Sequence, residues 1–397
     1  MKSGNNKISV LLISLYTQFG GGEYGLHYLL KHIDRRKFEP IMVVNERGPL
    51  VEKAEWFGIE CIVVPFTVVM LQQLIKPGIF WKNLKASFAL RRIIISKKIQ
   101  IVQCQDVLSL LLLLPASLTC RIRIIYNVIF FHEPLRVFLL DILSLFRVRC
   151  IAVLSKSVRC NIEKGSRFLK KKVRLIYWGV DTERFHPRSA DERRELRRKF
   201  GLPPGKKIVG FIGRYDVWKG HLTYLDACRR LINKRQDILM LVVGGAMTES
   251  VVPAVAKYRQ EMEAVMKESI DRGDLIVWDH RDDVPEIMAS LDVFVCPSVC
   301  EPFGLVALEA VASSMPSVVS DGVGALEVVG GMKGVFEAKA GDADSFAGAI
   351  ERALEFSPGD MDSGILSERF SWEKYVKAYE NLYFEVLRGK QGISIEK

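Results

Sequence analysis

Arg214 and Lys219 stand five residues apart in Gly213-Arg214-Tyr215-Asp216-Val217-Trp218-Lys219-Gly220, between a β-rich run, Lys207–Ile212, and a helical period. Loops at the C-terminal ends of strands are where open α/β sheets bind anions. A guanidinium forks onto two phosphate oxygens, and an ammonium adds a compact point charge. Gly220 lets the N-terminus of the following helix come close. A second stretch, Val295–Ala310 (VCPSVCEPFGLVALEA), holds two carboxylates eight residues apart. Glu301 reads as a loop residue. The spacing predicts a helix from Phe303-Gly304, with Glu309 roughly a turn and a half inside it and the backbone N–H groups of Phe303, Gly304 and Leu305 free at its start. An ionised Glu accepts two hydrogen bonds, so Glu309 suits the two hydroxyls of a ribose and Glu301 suits sugar hydroxyls. A structural ion pair is the plain alternative for Glu309.

Two weaker signals lie upstream. Phe19-Gly20-Gly21-Gly22-Glu23 follows the run Ile8–Ser14 and precedes a helix expected over Tyr24–His32. Gly21 and Gly22 there would let backbone amides approach a phosphate or a sugar ring, although a tight turn alone reads the same. The pattern is not G-x-G-x-x-G, and no acidic residue ends a second strand as a nicotinamide site requires. His132, one of six histidines, follows Ile129-Phe130-Phe131 and precedes Glu133-Pro134.

Positioning these residues takes two series of alternating strands and helices. Strand-like runs are Ile8–Ser14, Ile41–Val44, Cys61–Val64, Ile101–Gln103, Ile122–Tyr126, Cys150–Val153 and Val173–Ile176, then Lys207–Ile212, Ile238–Val243, Leu275–Val277, Val293–Cys296, Ser317–Ser320 and Gly334–Phe336. Most are uniformly apolar, as strands covered on both faces are. The alternation implies an α/β chain of two doubly wound parallel sheets. The expected divisions are a first domain over 1–182, a charged linker over 183–205 ending in Gly-Leu-Pro-Pro-Gly, a second domain over 206–368, and a terminal helix within 369–397.

Charge separates the halves. Of 397 residues, 57 are Lys or Arg and 46 Asp or Glu, a net charge of +11. Residues 1–200 carry 35 cations and 16 anions, leaving a second half that is net acidic. Such asymmetry suggests different partners, an anionic surface or substrate for the first half. No helix-turn-helix, RRM or zinc-finger signature accompanies the charge, so nucleic acid is not an expected partner. Ile75–Lys98 mixes Ile79, Phe80, Trp81, Leu84 and Phe88 with Lys82, Lys85, Arg91 and Arg92, the pattern of an interfacial helix or of an ordinary amphipathic helix on a sheet. The eight cysteines show no zinc-ligand spacing, and Met1–Lys7 shows no secretory signal. The expectation is a reduced cytoplasmic protein, peripheral on the inner face of the membrane if the basic half is used, with most cysteines buried.

Taken together the motifs resemble the GT-B retaining glycosyltransferases of family four. The resemblance rests on GGGE (Gly20–Glu23), IAVLSKS (Ile151–Ser157), VRLIYWGVD (Val173–Asp181), FIGRYDVWKG (Phe211–Gly220), DDVPEIMASLDVFVCPS (Asp282–Ser298), EPFGLVALEA (Glu301–Ala310), VGALEVV (Val323–Val329) and FSWEKYVKAYENLY (Phe370–Tyr383). It implies two Rossmann-like domains facing across a cleft, the first binding the acceptor and the second a nucleotide-sugar, with the last helix crossing back to the first. Arg214 and Lys219 would hold the donor's pyrophosphate, Glu309 its ribose, and Glu301 the transferred sugar, helped by amides of Phe303, Gly304 and Leu305. Gly213 opens the pyrophosphate loop, Gly21 and Gly22 would approach the donor, and Asp279, His280, Arg281 and Val284 would lie by the nucleobase. His132 would stabilise positive character on the sugar. The implied activity is retaining transfer to a hydroxyl of a glycan or lipid-linked acceptor, as in surface-polysaccharide or lipopolysaccharide synthesis.

No cofactor or metal is expected. No D-x-D motif is placed to chelate one, and Asp282-Asp283 read as N-caps. Trp178, Ser314 and Leu326 depart from the family's usual Asn, Gly and Pro. A nucleotide-sugar epimerase or phosphorylase, or a non-catalytic membrane-surface protein, are the rival readings.

Overall fold

Every one of those apolar runs becomes a parallel strand, in two separate sheets. The computed structural model describes residues 7–18, 20–67, 76–166, 168–245, 253–361 and 363–389. Of the positions singled out above, Met1–Asn6, Phe19 and Ile75 lie outside them.

The first unit comprises Met1–Trp178 and Trp372–Lys397. Its elements run β1 (Ile8–Ser14), α1 (Gly21–His32), β2 (Phe38–Val44), α2 (Pro49–Trp56), β3 (Glu60–Val63), α3 (Pro77–Ser96), β4 (Ile101–Cys104), α4 (Val107–Leu112), α5 (Leu114–Thr119), β5 (Arg123–Val128), α6 (Pro134–Leu143), β6 (Val148–Val153), α7 (Lys156–Lys164) and β7 (Val173–Leu175). The sheet order is β3-β2-β1-β4-β5-β6-β7. The second unit, Gly179–Ser371, runs α8 (Ala190–Lys199), β8 (Lys207–Ile212), α9 (His221–Ile232), β9 (Ile238–Val243), α10 (Pro253–Asp271), β10 (Leu275–Trp278), α11 (Val284–Ser290), β11 (Val293–Cys296), α12 (Leu305–Ala312), β12 (Ser317–Ser320), α13 (Leu326–Val329), β13 (Val335–Ala338), α14 (Ala343–Glu355) and α15 (Gly364–Arg369). Its order is β10-β9-β8-β11-β12-β13. Val209, Met240, Val242, Val293 and Val295 on these strands pack with Tyr224, Leu225, Phe346 and Ile350 of α9 and α14 in a closed core.

The last helix, α16 (Trp372–Arg388), belongs to the first unit. Trp372, Tyr375, Val376, Tyr379, Leu382, Tyr383 and Val386 form one buried stripe at helical spacing. Trp372 stacks on Tyr28 of α1 with centroids 4.3 Å apart, Tyr383 donates to Gln103 Oε1 (2.6 Å), and the Asp34 amide donates to Glu380 (2.9 Å). Trp178, one of the departures, lies tilted against Trp372 at 6.4 Å.

The expected linker is part of the second unit. Ser189 and Glu192 form a capping box that starts α8. Arg193 and Arg197 then bond to carbonyls of Ala289 (3.0 Å) and Ser290 (2.8 Å) at the end of α11, and Arg197 pairs with Asp292 at 2.5 Å. These arginines satisfy carbonyls that a helix C-terminus leaves unbonded, so their charge is not that of a solvated spacer. Arg197→Ala is expected to cost about 1–3 kcal/mol in urea unfolding, with no rescue by lysine, which lacks the fork.

Three further expectations change. α1 begins at Gly21, so Gly21 and Gly22 form its first turn and are not loop residues. On α3 the buried side is Asn83, Ala86, Ser87, Leu90 and Ile94, while Phe80, Trp81, Phe88 and Ile95 face solvent. Four cysteines are buried, two intermediate and two, Cys160 and Cys300, exposed, and none is bonded to another. Among the described residues no helix is long and apolar enough to cross a membrane.

Candidate functional site

In the second sheet the winding reverses between β8 and β11. Loops leaving these neighbours depart to opposite faces and open a crevice at the carboxyl ends of the strands. The cation loop leaves β8 and the carboxylate loop leaves β11. They meet there: Lys219 Nζ lies 2.5 Å from Glu301 Oε2, with the two side chains 20% and 18% exposed.

Local backbone holds this geometry. Val217–Lys219 forms a 3-10 turn in which the Trp218 amide donates to Asp216 Oδ1 (3.4 Å) and the Lys219 amide to the Asp216 carbonyl (3.0 Å). The Val299 amide then donates to the Trp218 carbonyl (2.8 Å), fastening the two loops together. Gly220 starts α9 at φ +74°, and a Cβ there would stand 2.1 Å from the Pro297 carbonyl oxygen. Both the backbone angle and the space therefore demand glycine. On its far side the Glu301 amide donates to the Gly322 carbonyl (2.9 Å), and the Gly324 amide donates back to Glu301 (3.0 Å).

Gly304 caps α12 at φ +95°, with Glu301 Cγ 3.3 Å from where its Cβ would be. The helix begins at Leu305, not at Phe303, whose ring is buried. The amides of Gly304, Leu305 and Val306 precede the first bond back, from the Ala307 amide to the Gly304 carbonyl (3.0 Å). They leave partial positive charge close to Glu301. Glu309 lies in the second turn. It keeps some solvent exposure at its residue surface, yet its carboxyl is enclosed by protein, and burial lifts it to about 7. The Arg184 charge pulls it back down and Asp181 pushes it up. Sequence reasoning missed Arg184. The available signal was Asp181 ending VRLIYWGVD, whose carboxylate accepts the amides of Glu183 and Arg184 (3.2 Å each).

Arg214 is exposed at the start of the β8 loop. Gly213 and Tyr215 donate to carbonyls of Val243 (2.9 Å) and Gly245 (3.3 Å), and the Gly244 amide donates to Trp278 (2.9 Å), which joins the ends of β8, β9 and β10. Asp279 and His280 are exposed just beyond, and the Asp279 charge, after burial, helps push the Tyr215 hydroxyl up. Val284 opens α11. Arg281 is engaged locally, forking onto Asp283 (2.7 and 2.6 Å) over the rings of Trp278 and Phe200. Asp283 occupies the N-cap position of α11, but its carboxylate serves Arg281 and caps nothing. The structure thus unites Lys219, Glu301, Gly304 and Leu305. It sets Arg214 on the same loop as Lys219, and Asp279–Val284 two strands, about 10 Å, away.

Gly21, Gly22 and His132 belong to the first unit. Glu23 accepts the Gly20 amide (3.0 Å) at the start of α1. Gly22 lines a small recess with Gln105, Asn127 and Tyr375, at the reversal between β1 and β4. His132 is buried: Nε2 lies 3.0 Å from the Tyr126 hydroxyl, its amide donates to Asn161 (2.8 Å), and Nδ1 has no partner among the described residues. Burial, then Arg136, holds the ring down to about 4, so it is neutral between pH 5 and 8.

Comparison with known proteins bears on the family and the fold. Residues 192–375 match the family described as glycosyl transferases group 1, and residues 19–184 match glycosyltransferase family 4. The chain is 33% identical over 172 residues to the spore coat protein SA of Bacillus subtilis (41% of this chain, 45% of that protein). It is 36% identical over 159 residues to the lipopolysaccharide core biosynthesis mannosyltransferase LpsB of Rhizobium meliloti (40% and 43%). The matches span about half the length of these curated relatives. Anabaena Alr3699/HepE, solved in complex with UDP and glucose, superposes with a TM-score of 0.77 at 18% identity, covering 95% of this chain and 99% of that one, which shows a shared GT-B fold.

Proposed function

Since the chain belongs to the group 1 glycosyl transferases of family 4, we propose that it moves a sugar from a nucleotide-sugar to a hydroxyl acceptor with retention of configuration. We place this activity in the building of a surface polysaccharide or lipopolysaccharide. The observation that carries the reading is the Lys219–Glu301 pair at 2.5 Å in the crevice where the second sheet reverses. The donor's diphosphate lies against Lys219 and Arg214, and its ribose against Glu309. The sugar lies against Glu301 and the amides of Gly304 and Leu305.

In the proposed reaction the bond from the anomeric carbon to the diphosphate oxygen breaks, and its electron pair leaves with the diphosphate. Lys219 and Arg214 stabilise that developing charge. The acceptor oxygen bonds to the anomeric carbon from the face the leaving group vacates, and its proton passes to a diphosphate oxygen. A diphosphate is a weak base, so no protein acid is needed, and the two cations do work that a metal does elsewhere. UDP-glucose is the first donor to test, given the UDP and glucose in Alr3699/HepE, and the mannosyltransferase LpsB supports a trial of GDP-mannose. The test is slow donor hydrolysis without acceptor, followed by NMR. The reading expects nucleoside diphosphate and a sugar first released with the donor's anomeric configuration. Inverted sugar, or none with any donor, contradicts it.

Glu309 gives a pH signature. Its folded value, about 7, is raised above the ordinary carboxylate range, so the stability it confers is fully present below about pH 4.5 and is lost as pH rises through 7. Nucleotide binding has the opposite sign, because ribose hydroxyls donate to the ionised form. Affinity should therefore fall by up to about tenfold per pH unit below 7, with proton release on binding near pH 6.5 and none near 8.5. Calorimetry in buffers of different ionisation enthalpy measures this, and Glu309→Gln should abolish it.

A further inference from the structure

Twelve of the 19 large apolar side chains exposed among the described residues fall between Phe80 and Phe168 of the first unit. That is a concentration, not the scatter normal on a soluble surface. α6 is its centre. Val137, Leu140 and Leu143 face inward and are buried. Leu135, Phe138 and Ile142 follow at intervals of three and four, one stripe of the helix, and Leu145 lies in the turn just after it; the four are 43–62% exposed. A helix that is apolar on both sides belongs where both sides are covered.

The stripe extends sideways. Phe168, 57% exposed, is held beside α6 because its amide donates to Asp141 Oδ1 (3.1 Å), as does Ser166 Oγ (2.6 Å). The crossovers from β3 to β4 and from β5 to β6 run in the same direction along the sheet, so right-handed connections put α3 and α6 on one face. Arg91 of α3 donates to Thr119 of α5 (2.9 Å), and Arg147 donates to the Ser117 carbonyl (3.0 Å), which ties this layer together. The outward Phe80, Trp81 and Phe88 of α3 therefore share the face.

The same region is strongly basic. From Lys76 to Arg174 there are 20 Lys or Arg and four Asp or Glu. Of the four acids Asp106 caps α4, Asp141 is buried, and Glu163 pairs with Arg159 (2.8 Å), which leaves Glu133 alone exposed and unpaired by charge among them. Lys170, next to Phe168, also borders a recess of about 250 Å³ with Lys156 and Lys164.

We propose that this face docks on an anionic lipid bilayer, with the α6 stripe and Phe168 at the acyl boundary and the lysines at the phosphates. A second copy of the chain fits less well, since two such basic faces repel. The inference rests on the proposed function for its purpose, meeting a lipid-linked acceptor, but its test needs no activity. The full chain is floated with phosphatidylcholine vesicles, with and without phosphatidylglycerol. Binding should require phosphatidylglycerol and weaken with salt. Phe138→Asp with Leu145→Asp, and separately Lys170→Glu with Lys171→Glu, should each reduce it by about tenfold or more. Both variants should keep the wild-type melting temperature and its rise with nucleotide, which separates loss of docking from loss of fold or of the donor site. No vesicle binding at low salt, or binding unchanged in both variants, overturns the proposal. So does a concentration-dependent dimer that Phe138→Asp dissolves in a chain indifferent to vesicles.

Discussion

Lys219→Ala should lower turnover by about 100-fold or more while the protein stays folded. The ammonium stands in the crevice at 2.5 Å from Glu301, held by the turn that Asp216 closes and by the Val299–Trp218 bond. Its charge is worth most when the diphosphate leaves, so the loss should appear in kcat more than in KM. Truncation also leaves Glu301 without its partner beside an anionic donor. The double variant Lys219→Ala, Glu301→Gln should therefore fall short of the sum of the single losses. Steady-state rates of donor hydrolysis decide it, and a folded Lys219→Ala protein turning over at the wild-type rate removes the lysine from the chemistry.

Gly220→Ala should be among the most damaging single methyl additions at the described glycines. The residue sits at φ +74°, and its Cβ would meet the Pro297 carbonyl oxygen at 2.1 Å, so backbone must part from backbone. The left-handed angle and the overpacking together should cost about 2–5 kcal/mol in denaturant unfolding. Because Pro297 begins the loop that carries Glu301, the nucleotide-induced rise in melting temperature should vanish as well. Gly201 supplies the control. Its φ is +66° and a Cβ there would meet nothing within 4 Å, so Gly201→Ala should cost only the backbone part, about 1 kcal/mol. Equal losses at the two positions would mean that the loops do not press together there.

The strands were legible because parallel strands buried on both faces read as plain apolar runs, as Ile238–Val243 does without a polar interruption. The loops that carry Arg214, Lys219 and Glu301 were legible because glycines and charged groups at strand ends have few structural uses. Periodicity could not say which side of α3 faces in. A helix that buries Asn83 and Ser87 and exposes Trp81 reverses the ordinary preference. The start of α1 was hidden because glycine is a poor helix former, yet Gly21 and Gly22 open the helix and Gly25 lies inside it. Charge in α8 read as solvation until Arg193 and Arg197 were seen on the carbonyls ending α11. His132 read as a candidate beside the sugar, and only the tertiary contacts with Tyr126 and Asn161 reveal a buried ring. Ser314 adopts φ +52°, the left-handed conformation that glycine takes most readily, and its hydroxyl bonds to that of Ser363 at 2.9 Å.

The most direct measurement is the melting temperature of the full chain across UDP, GDP, ADP and their sugars. A ligand at about 100 times its Kd adds about 2.7 kcal/mol to the folded state, or roughly 5–10 °C for a unit of this size. The account predicts such a rise with one nucleotide series, reduced in Lys219→Ala and in Glu309→Gln. A flat profile with every nucleotide and nucleotide-sugar, in a chain that melts cooperatively, would contradict it.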